Sequence, residues 1–397
     1  MTSWWTFLVD HDLGGFSCTA GSQSWRTWRH KYMTHKVLID MHDDALKLAR
    51  DAVCGGRCQA YKVGALDGPW TQLDVNSAYA SCMQYMDVPV KLISYTEHAD
   101  WTDLLKWMEQ RAVIADVDVL ASTDAVPSRV DGKLAFRGGS FRTVLCGAEL
   151  QYALRHYTVQ RVHRVATYEK APAFSSYMTA IWHQRMHARA AHNFDEEDKW
   201  KLLGNSFYGK WAQRGGWWEN CDRTEDMSHK YWVDVDLVDH VVHEFRQLGG
   251  LVQEKSRELE SRESSPAIAA YIAAEARMNL WWLIQDAGKE NVAYVDTDAL
   301  LVNTVGLGKL HHRIAPNELG ALKAVGTYDR VRVFGKKNYQ LDSHLVRAGL
   351  RHDAVELGDS AVRQDARQSV ARQIHSGESL GARSETVTKN FNKKKGG

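Results

Sequence analysis

The chain has 397 residues, 44% apolar and 25% charged with only six prolines, an ordinary globular composition that excludes disorder, or one small stapled module, as the main state. Fifty Lys and Arg against forty-nine Asp and Glu leave a formal charge of +1, so any contact with a polyanion must come from local patches. The opening MTSWWTFLVDHD lacks a basic region and the longest later apolar run, Ala267 to Ala274, is eight residues, so neither an export signal nor a membrane span is expected.

In chain order, DDALKLARDAV from Asp43 has helical spacing, and CGGRCQ breaks it at Gly55 and Gly56, which reads as a hinge after an N-terminal lobe. YKVG and WTQLDV read as short strands, AVIADVDVL alternates as another, and GAELQYALRHY is a helix with Leu150, Ala153 and Leu154 inward. A helix from about Ser175 to Arg189 pauses at the acidic NFDEED and resumes through KWKLLGNSFYGKW. Gln253 to Ser265 mixes charges and serines as a solvated connection before the apolar helix AIAAYIAAEARMNLWWLI. VAYVDTDALLV then reads as a buried strand interrupted by two acids, and the polar end NFNKKKGG as a tail that frays or docks on phosphate. Strands and helices mix without a regular β-α-β rhythm, so the fold class is α+β. The six cysteines are scattered, and Cys54 and Cys58 lack a second pair to complete a zinc site, which fits a reducing compartment. Fifteen tryptophans favour aromatic core layers over exposed stacking surfaces.

Three segments carry chemistry. In LDVNSAYAS, Asp74 ends a strand, where a carboxylate can hold a divalent ion, and Ser77 is placed to cap a helix whose first N–H groups suit a phosphate. In KLLGNSFYGK, Lys201, Asn205 and Tyr208 share one helical face, and upstream Arg185 and Arg189 share another, adding positive charge for a triphosphate. In YVDTDAL, Asp296 and Asp298 fall on the same side if the chain is extended, a repulsion that a divalent ion offsets; a tight hairpin with solvent-facing aspartates also fits.

Together these segments resemble, in order and spacing, the signature motifs of family B DNA polymerases: DVNSAYAS is similar to D-x-x-S-L-Y-P-S, KLLGNSFYG to K-x-x-x-N-S-x-Y-G, and YVDTDA to Y-x-D-T-D-S. Ala78 and Ala80 replace Leu and Pro of the first motif, and Ala299 replaces the Ser of the third. CGGR, residues 54–57, resembles the family's Y-x-G-G element, and Lys337, Asn338 and Tyr339 its K-x-Y. The wording around DVNS, with Met83 and Val88-Pro89, resembles most the protein-primed and primer-independent branch. The resemblance spans roughly Gly55 to Tyr339.

It implies a right-hand polymerase, with an antiparallel-sheet palm, helical fingers and a small thumb. The expected division is a short N-terminal segment (1–50), palm (51–165), fingers (166–230), palm again (231–340), then thumb and basic tail (341–397). It implies catalytic Asp74, Asp296 and Asp298, and two Mg2+ ions, for which Mn2+ substitutes, held by Asp74, Asp298 and the Val75 carbonyl. Ser77, Ala78, Tyr79, Arg185, Arg189, Lys201, Asn205 and Tyr208 would take the nucleotide, with Tyr79 excluding a 2′-hydroxyl. Gly55, Gly56, Arg57, Lys337 and Tyr339 would contact DNA. Partners would be template and primer DNA, dNTPs and a terminal or priming protein, with no membrane, for a monomer in a host-cell cytoplasm. With only seventy-three residues before Asp74, an exonuclease domain has no room and proofreading is expected to be missing. No match to the branch's second insertion is evident between Lys210 and Ser265, so modest processivity is expected.

Other acidic clusters read as bland. Asp10, His11 and Asp12 form a surface loop, Asp116 and Asp118 a solvated strand face, Asp234, Asp236, Asp239, His240 and His243 a polar strand face, and His311-His312 a polar loop. A reverse transcriptase would place its acids adjacent, whereas Thr297 separates them here. A non-catalytic DNA-binding relative, acting as a replication accessory, is the alternative.

Overall fold

The computed structural model describes residues 2–17, 19–39, 42–156, 158–214, 218–236, 241–255, 260–261, 263–347, 350, 355–357, 361–367 and 384–390. They fall into two compact units, Met1–Gln213 with Glu263–Ser343, and Arg214–Arg262 with His344–Gly397.

The first unit is built on a five-stranded sheet of β1 (Cys58–Ala60), β2 (Trp70–Val75), β3 (Val292–Asp296), β4 (Ala299–Asn303) and β5 (Leu322–Tyr328), in the order β1-β3-β4-β2-β5. Every pairing is antiparallel. A second antiparallel sheet orders Val88–Thr96, Val159–Ala171, Ala112–Ala121 and Gly139–Cys146. Gly64–Leu66, Val331–Gly335 and Asn338–Leu341 pair antiparallel in a third. The four helices nearest the motifs are α1 (Ala78–Tyr85), α2 (Ser175–Ala190), α3 (Phe194–Trp211) and α4 (Pro266–Ala287).

α4 is largely apolar, with Asn279, Trp282, Gln285 and Asp286 left exposed, because it is the spine of this unit. Its Met278, Trp281 and Ile284 pack with Leu73, Val295 and Val302 of the five-stranded sheet. Ala270, Tyr271 and Ala274 pack on Ala112, Ile114 and Ala166 of the second sheet, and Ile268 and Ile272 join a third core. That third core holds Trp28, Phe174, Tyr177, Trp200, Phe207 and Trp211, so these tryptophans are core residues, as expected. Their rings meet mostly edge to face, as for Phe174 and Phe207 at 4.9 Å and 87°, an arrangement the aromatic quadrupole favours.

The polar tip expected between α2 and α3 is short. Asn193 caps α3 by accepting from the Glu196 amide, so NFDEED is mostly the first turn of α3, with its acids at the positive helix end.

The second unit departs from the expected division, which ran the fingers to 230 and resumed the palm at 231. Trp218–Arg223, Leu251–Lys255, Val241–Leu248 and Lys230–Asp236 form their own antiparallel four-stranded sheet. The reason is local: Leu248 pairs with Leu251 across Gly249 and Gly250, both at positive φ (53° and 77°), which is tight hairpin chemistry. Gln253 to Lys255 is thereby strand rather than connection. In the C-terminal part, Ala361–Arg367 pairs antiparallel with Ser384–Asn390, and residues 391–397 of the basic tail lie outside the described residues.

Candidate active site

The sheet order puts the three acids at its centre. β2 lies between β4 and β5, so Asp74 is directly opposite Ala299 on one side and Lys323 on the other. The Val75 N–H donates to the Asp298 carbonyl at 2.8 Å, which locks the first motif to the third across one register step. Residues 292–303 are a hairpin, the alternative to an extended strand, with its aspartates partly buried: Asp296 pairs with Ala299, and Thr297 at φ 62° makes the turn. The two acids take different surroundings. Asp296 accepts both hydrogen bonds of the Lys337 ammonium (2.6 and 2.8 Å) and one from the Tyr294 hydroxyl. Asp298 is set against Asp74, and burial, reinforced by the Asp74 charge, pushes its carboxyl up to about 6. A cavity of about 440 Å³ opens beside Asp298, between α1 and α4.

Among the described residues no three His, Cys, Asp or Glu side chains gather into one metal-binding group. The backbone brings Asp74 and Val75 of β2 next to Asp298 through the Val75 amide, and the Asp74 charge reaches the Asp298 carboxyl; two carboxylates and a main-chain carbonyl are an oxygen donor set that fits Mg2+ when waters or phosphates complete the shell.

The Gly-Gly loop, expected as a hinge, is clamped by internal hydrogen bonds. Arg277, 1% exposed on α4, forms a two-point ion pair with the equally buried Glu149 and donates its other nitrogen to the carbonyls of Cys54 (2.9 Å) and Gly55 (3.0 Å). Gly56 has no space for a side chain, because an added Cβ would lie 2.6 Å from the Thr297 methyl. This close approach explains Gly56 in the pattern. Arg57 was expected on DNA but is fully buried; its guanidinium donates to Asp124, Gln59 and Tyr61 and stacks between Phe136 and Trp281. It is a core cation beside the loop: Asp124, Gln59, Tyr61 and the Ala125 carbonyl accept from its terminal nitrogens, and its Nε is buried without a hydrogen-bond partner among the described residues.

On the nucleotide side, Ser77 precedes α1 in left-handed backbone (φ 49°) and makes no side-chain cap; its hydroxyl accepts from Arg185 at 3.0 Å instead. Tyr79 stacks flat on Tyr208, with ring centroids 4.4 Å apart at 9°, joining the first two motifs, and burial raises the hydroxyl pKa of both. Arg185 and Arg189 share a face as expected, but both donate to the carboxylate of Glu197, one turn into α3. Lys201 and Asn205 are exposed, and no ion pair holds Lys201 among the described residues. The Tyr339 ring packs against Tyr294, 4.9 Å between centroids, next to the Lys337 turn.

One bland reading changes. Asp116 is 2% exposed, not solvated, and is gripped by Arg142 and Arg164, whereas Asp118 keeps a partly exposed side chain and takes His163 at 2.9 Å. Asp12 pairs with His30 and His11 with Glu196 at the surface, and His311 and His312 are exposed. Asp234 and Asp236 lie exposed on their strand, His243 pairs with Glu254, and Asp239 and His240 fall outside the described residues.

Glu149, Glu197, Arg277 and Lys323 escaped the sequence reading. Arg277 carries a detectable signal, a lone arginine inside an apolar helix. The other three have none, because their role is set by cross-strand register or helix contact.

Solved structures of phi29 DNA polymerase share this fold. Its ternary complex with primer-template DNA and incoming nucleotide superposes with a TM-score of 0.66 at 15% identity, covering 97% of this chain and 70% of that one. Its binary complex with primer-template DNA gives 0.60 at 18%, covering 86% and 59%. The DNA-directed DNA polymerase of Enterobacteria phage PRD1 is 26% identical over 293 residues, 72% of this chain. The chain spans about half the length of that relative, 49%. The architecture is thus an α+β polymerase fold. The model of the family "DNA polymerase type B, organellar and viral" matches residues 16–220, more than half of the chain, and the chain belongs to that family. The match begins well before Gly55, where the resemblance of the motifs starts, so part of the N-terminal segment belongs to it as well. Among the described residues no helix is long and apolar enough to cross a membrane.

Proposed function

We propose that this chain is a template-directed DNA polymerase that adds deoxynucleotides to a primer 3′-hydroxyl. The observation that carries the reading is the junction of Asp74 and Asp298 across the Val75 amide, joining acids 224 positions apart in the sequence. Mg2+ bound by these carboxylates and the Val75 carbonyl, as two ions, would supply Lewis acidity for hydroxyl attack and neutralise charge on the departing pyrophosphate.

The chain's own groups do the rest. Tyr79, held flat by Tyr208, is the floor on which a deoxyribose rests and against which a 2′-hydroxyl collides. Arg185, Arg189 and Lys201 supply the charge for the triphosphate, and the two arginines must exchange Glu197 for phosphate to do so. Lys337 and Tyr339 support the primer end, with Lys337 also restraining Asp296. The proposed palm is the five-stranded sheet with α4, and the fingers are α2 and α3. DNA and dNTPs are the proposed partners, and the Gly-Gly loop orders the catalytic hairpin for them.

Primer extension on a DNA template with Mg2+ tests this. Asp74→Asn and Asp298→Asn each abolish extension while leaving the protein folded by circular dichroism. Unchanged extension in both variants rejects the assignment, and no extension by the unaltered chain favours the non-catalytic alternative.

A further inference from the structure

Asp74 has an occupant. Lys323 of β5 lies directly opposite it in register, and the Lys323 Nζ is 2.7 Å from the Asp74 Oδ2. Directly opposite residues of adjacent antiparallel strands project to the same sheet face, so this contact is built into the pairing of β2 with β5 rather than made by a long side chain that happens to reach. On the other flank the directly opposed residue is Ala299, which offers the carboxylate no partner. Asp296 has its own ammonium, from Lys337. Three carboxylates thus face two ammonium groups, and one negative charge is left for an incoming cation.

A divalent ion at Asp74 must push Lys323 off or share the carboxylate with it at short range, and both oppose binding. The released ammonium, half-exposed on a side chain with four rotatable carbons, then needs an anion, and a nucleotide triphosphate is the anion that enters this site in the proposed reaction. We propose that Lys323 is a resident counter-cation of Asp74 that weakens metal binding to the empty site and so makes tight metal binding depend on the nucleotide. This inference rests on the polymerase reading, which supplies the metal and the triphosphate.

The test is Mn2+ binding to the full chain, without DNA, followed by the electron paramagnetic resonance of free Mn2+, with and without dATP, alongside primer extension. Removing one charge at this distance strengthens Mn2+ binding to the nucleotide-free protein by about tenfold in both Lys323→Gln and Lys323→Ala. The gain in Mn2+ affinity on adding dATP shrinks in both variants by a similar factor. Lys323→Arg keeps the charge and binds as the unaltered chain does, a result that a merely structural role for the side chain does not produce. Equal or weaker nucleotide-free binding in the two neutral variants overturns the proposal. The Asp74→Asn control separates the failures. If it removes Mn2+ binding and extension while the neutral variants bind as the unaltered chain does, the counter-cation role alone is wrong. If it leaves Mn2+ binding intact, the metal assignment to Asp74 is wrong, and the proposal falls with it.

Discussion

Replacing Gly56 by alanine tests how the Gly-Gly loop would serve the proposed catalysis. The added methyl would lie 2.6 Å from the Thr297 Cγ2, 2.7 Å from its Oγ1 and 2.9 Å from its Cβ. Rotating the threonine does not relieve contact with its own Cβ, so the turn itself must retreat by about 0.8 Å to restore ordinary contact. That turn is tethered on both sides, by the Thr297 amide to the Arg57 carbonyl (2.6 Å) and by the Val75 amide to the Asp298 carbonyl (2.8 Å). Retreat therefore displaces Asp298 from Asp74. Overpacking of this kind costs about 1–3 kcal/mol of stability, and a catalytic group misplaced by about 1 Å costs about a hundredfold in rate. Single-turnover primer extension of Gly56→Ala should show that loss. Thr297→Gly removes every clashing atom and tolerates the positive φ, so adding Gly56→Ala in that background should cost less than about threefold, a coupling a double-mutant cycle reads directly. An equal cost in both backgrounds, or extension at the unaltered rate in the single variant, refutes the close-approach argument.

Arg57→Met should lower stability by about 3 kcal/mol, because Asp124 stays buried with only part of its ion pairing, while the salt dependence of DNA binding is unchanged; a shallower salt slope with intact urea unfolding would return Arg57 to the DNA. Tyr208→Ala frees Tyr79 from its stacked partner and should reduce discrimination between dATP and ATP by about tenfold, measured as a ratio of kcat/KM; an unaltered ratio separates the stack from sugar selection. Burial raises the Asp116 carboxyl, but hydrogen bonds from Arg142 and Arg164 outweigh it and hold it below its ordinary 3.8. A depressed carboxyl stabilises the fold above its unfolded value and loses that contribution as pH falls through the folded one. Asp116→Asn should therefore unfold at lower temperature than the unaltered chain at pH 7, with the gap closing below about pH 4; a gap independent of pH contradicts the ion-pair account.

What the sequence determined by itself was everything with a short period or a spaced motif. The apolar spine helix, the alternating strand at Ala112 to Ala121, the helical hairpin and the α+β class follow from residue type and spacing, since these govern local backbone directly, whereas the acids at 74 and 298 stand out only through the motifs that resemble the family's. Tertiary structure alone decided which carboxylate meets which. Register across β2 set Lys323 on Asp74 and joined Asp298 to Val75, and the turn at Thr297 sent Asp296 to Lys337. Burial likewise turned Arg57 and Asp116 from surface charges into internal ion pairs. Pairing and burial depend on residues tens to hundreds of positions away, so no window of sequence contains the information, whereas helix and strand periods repeat within a few residues.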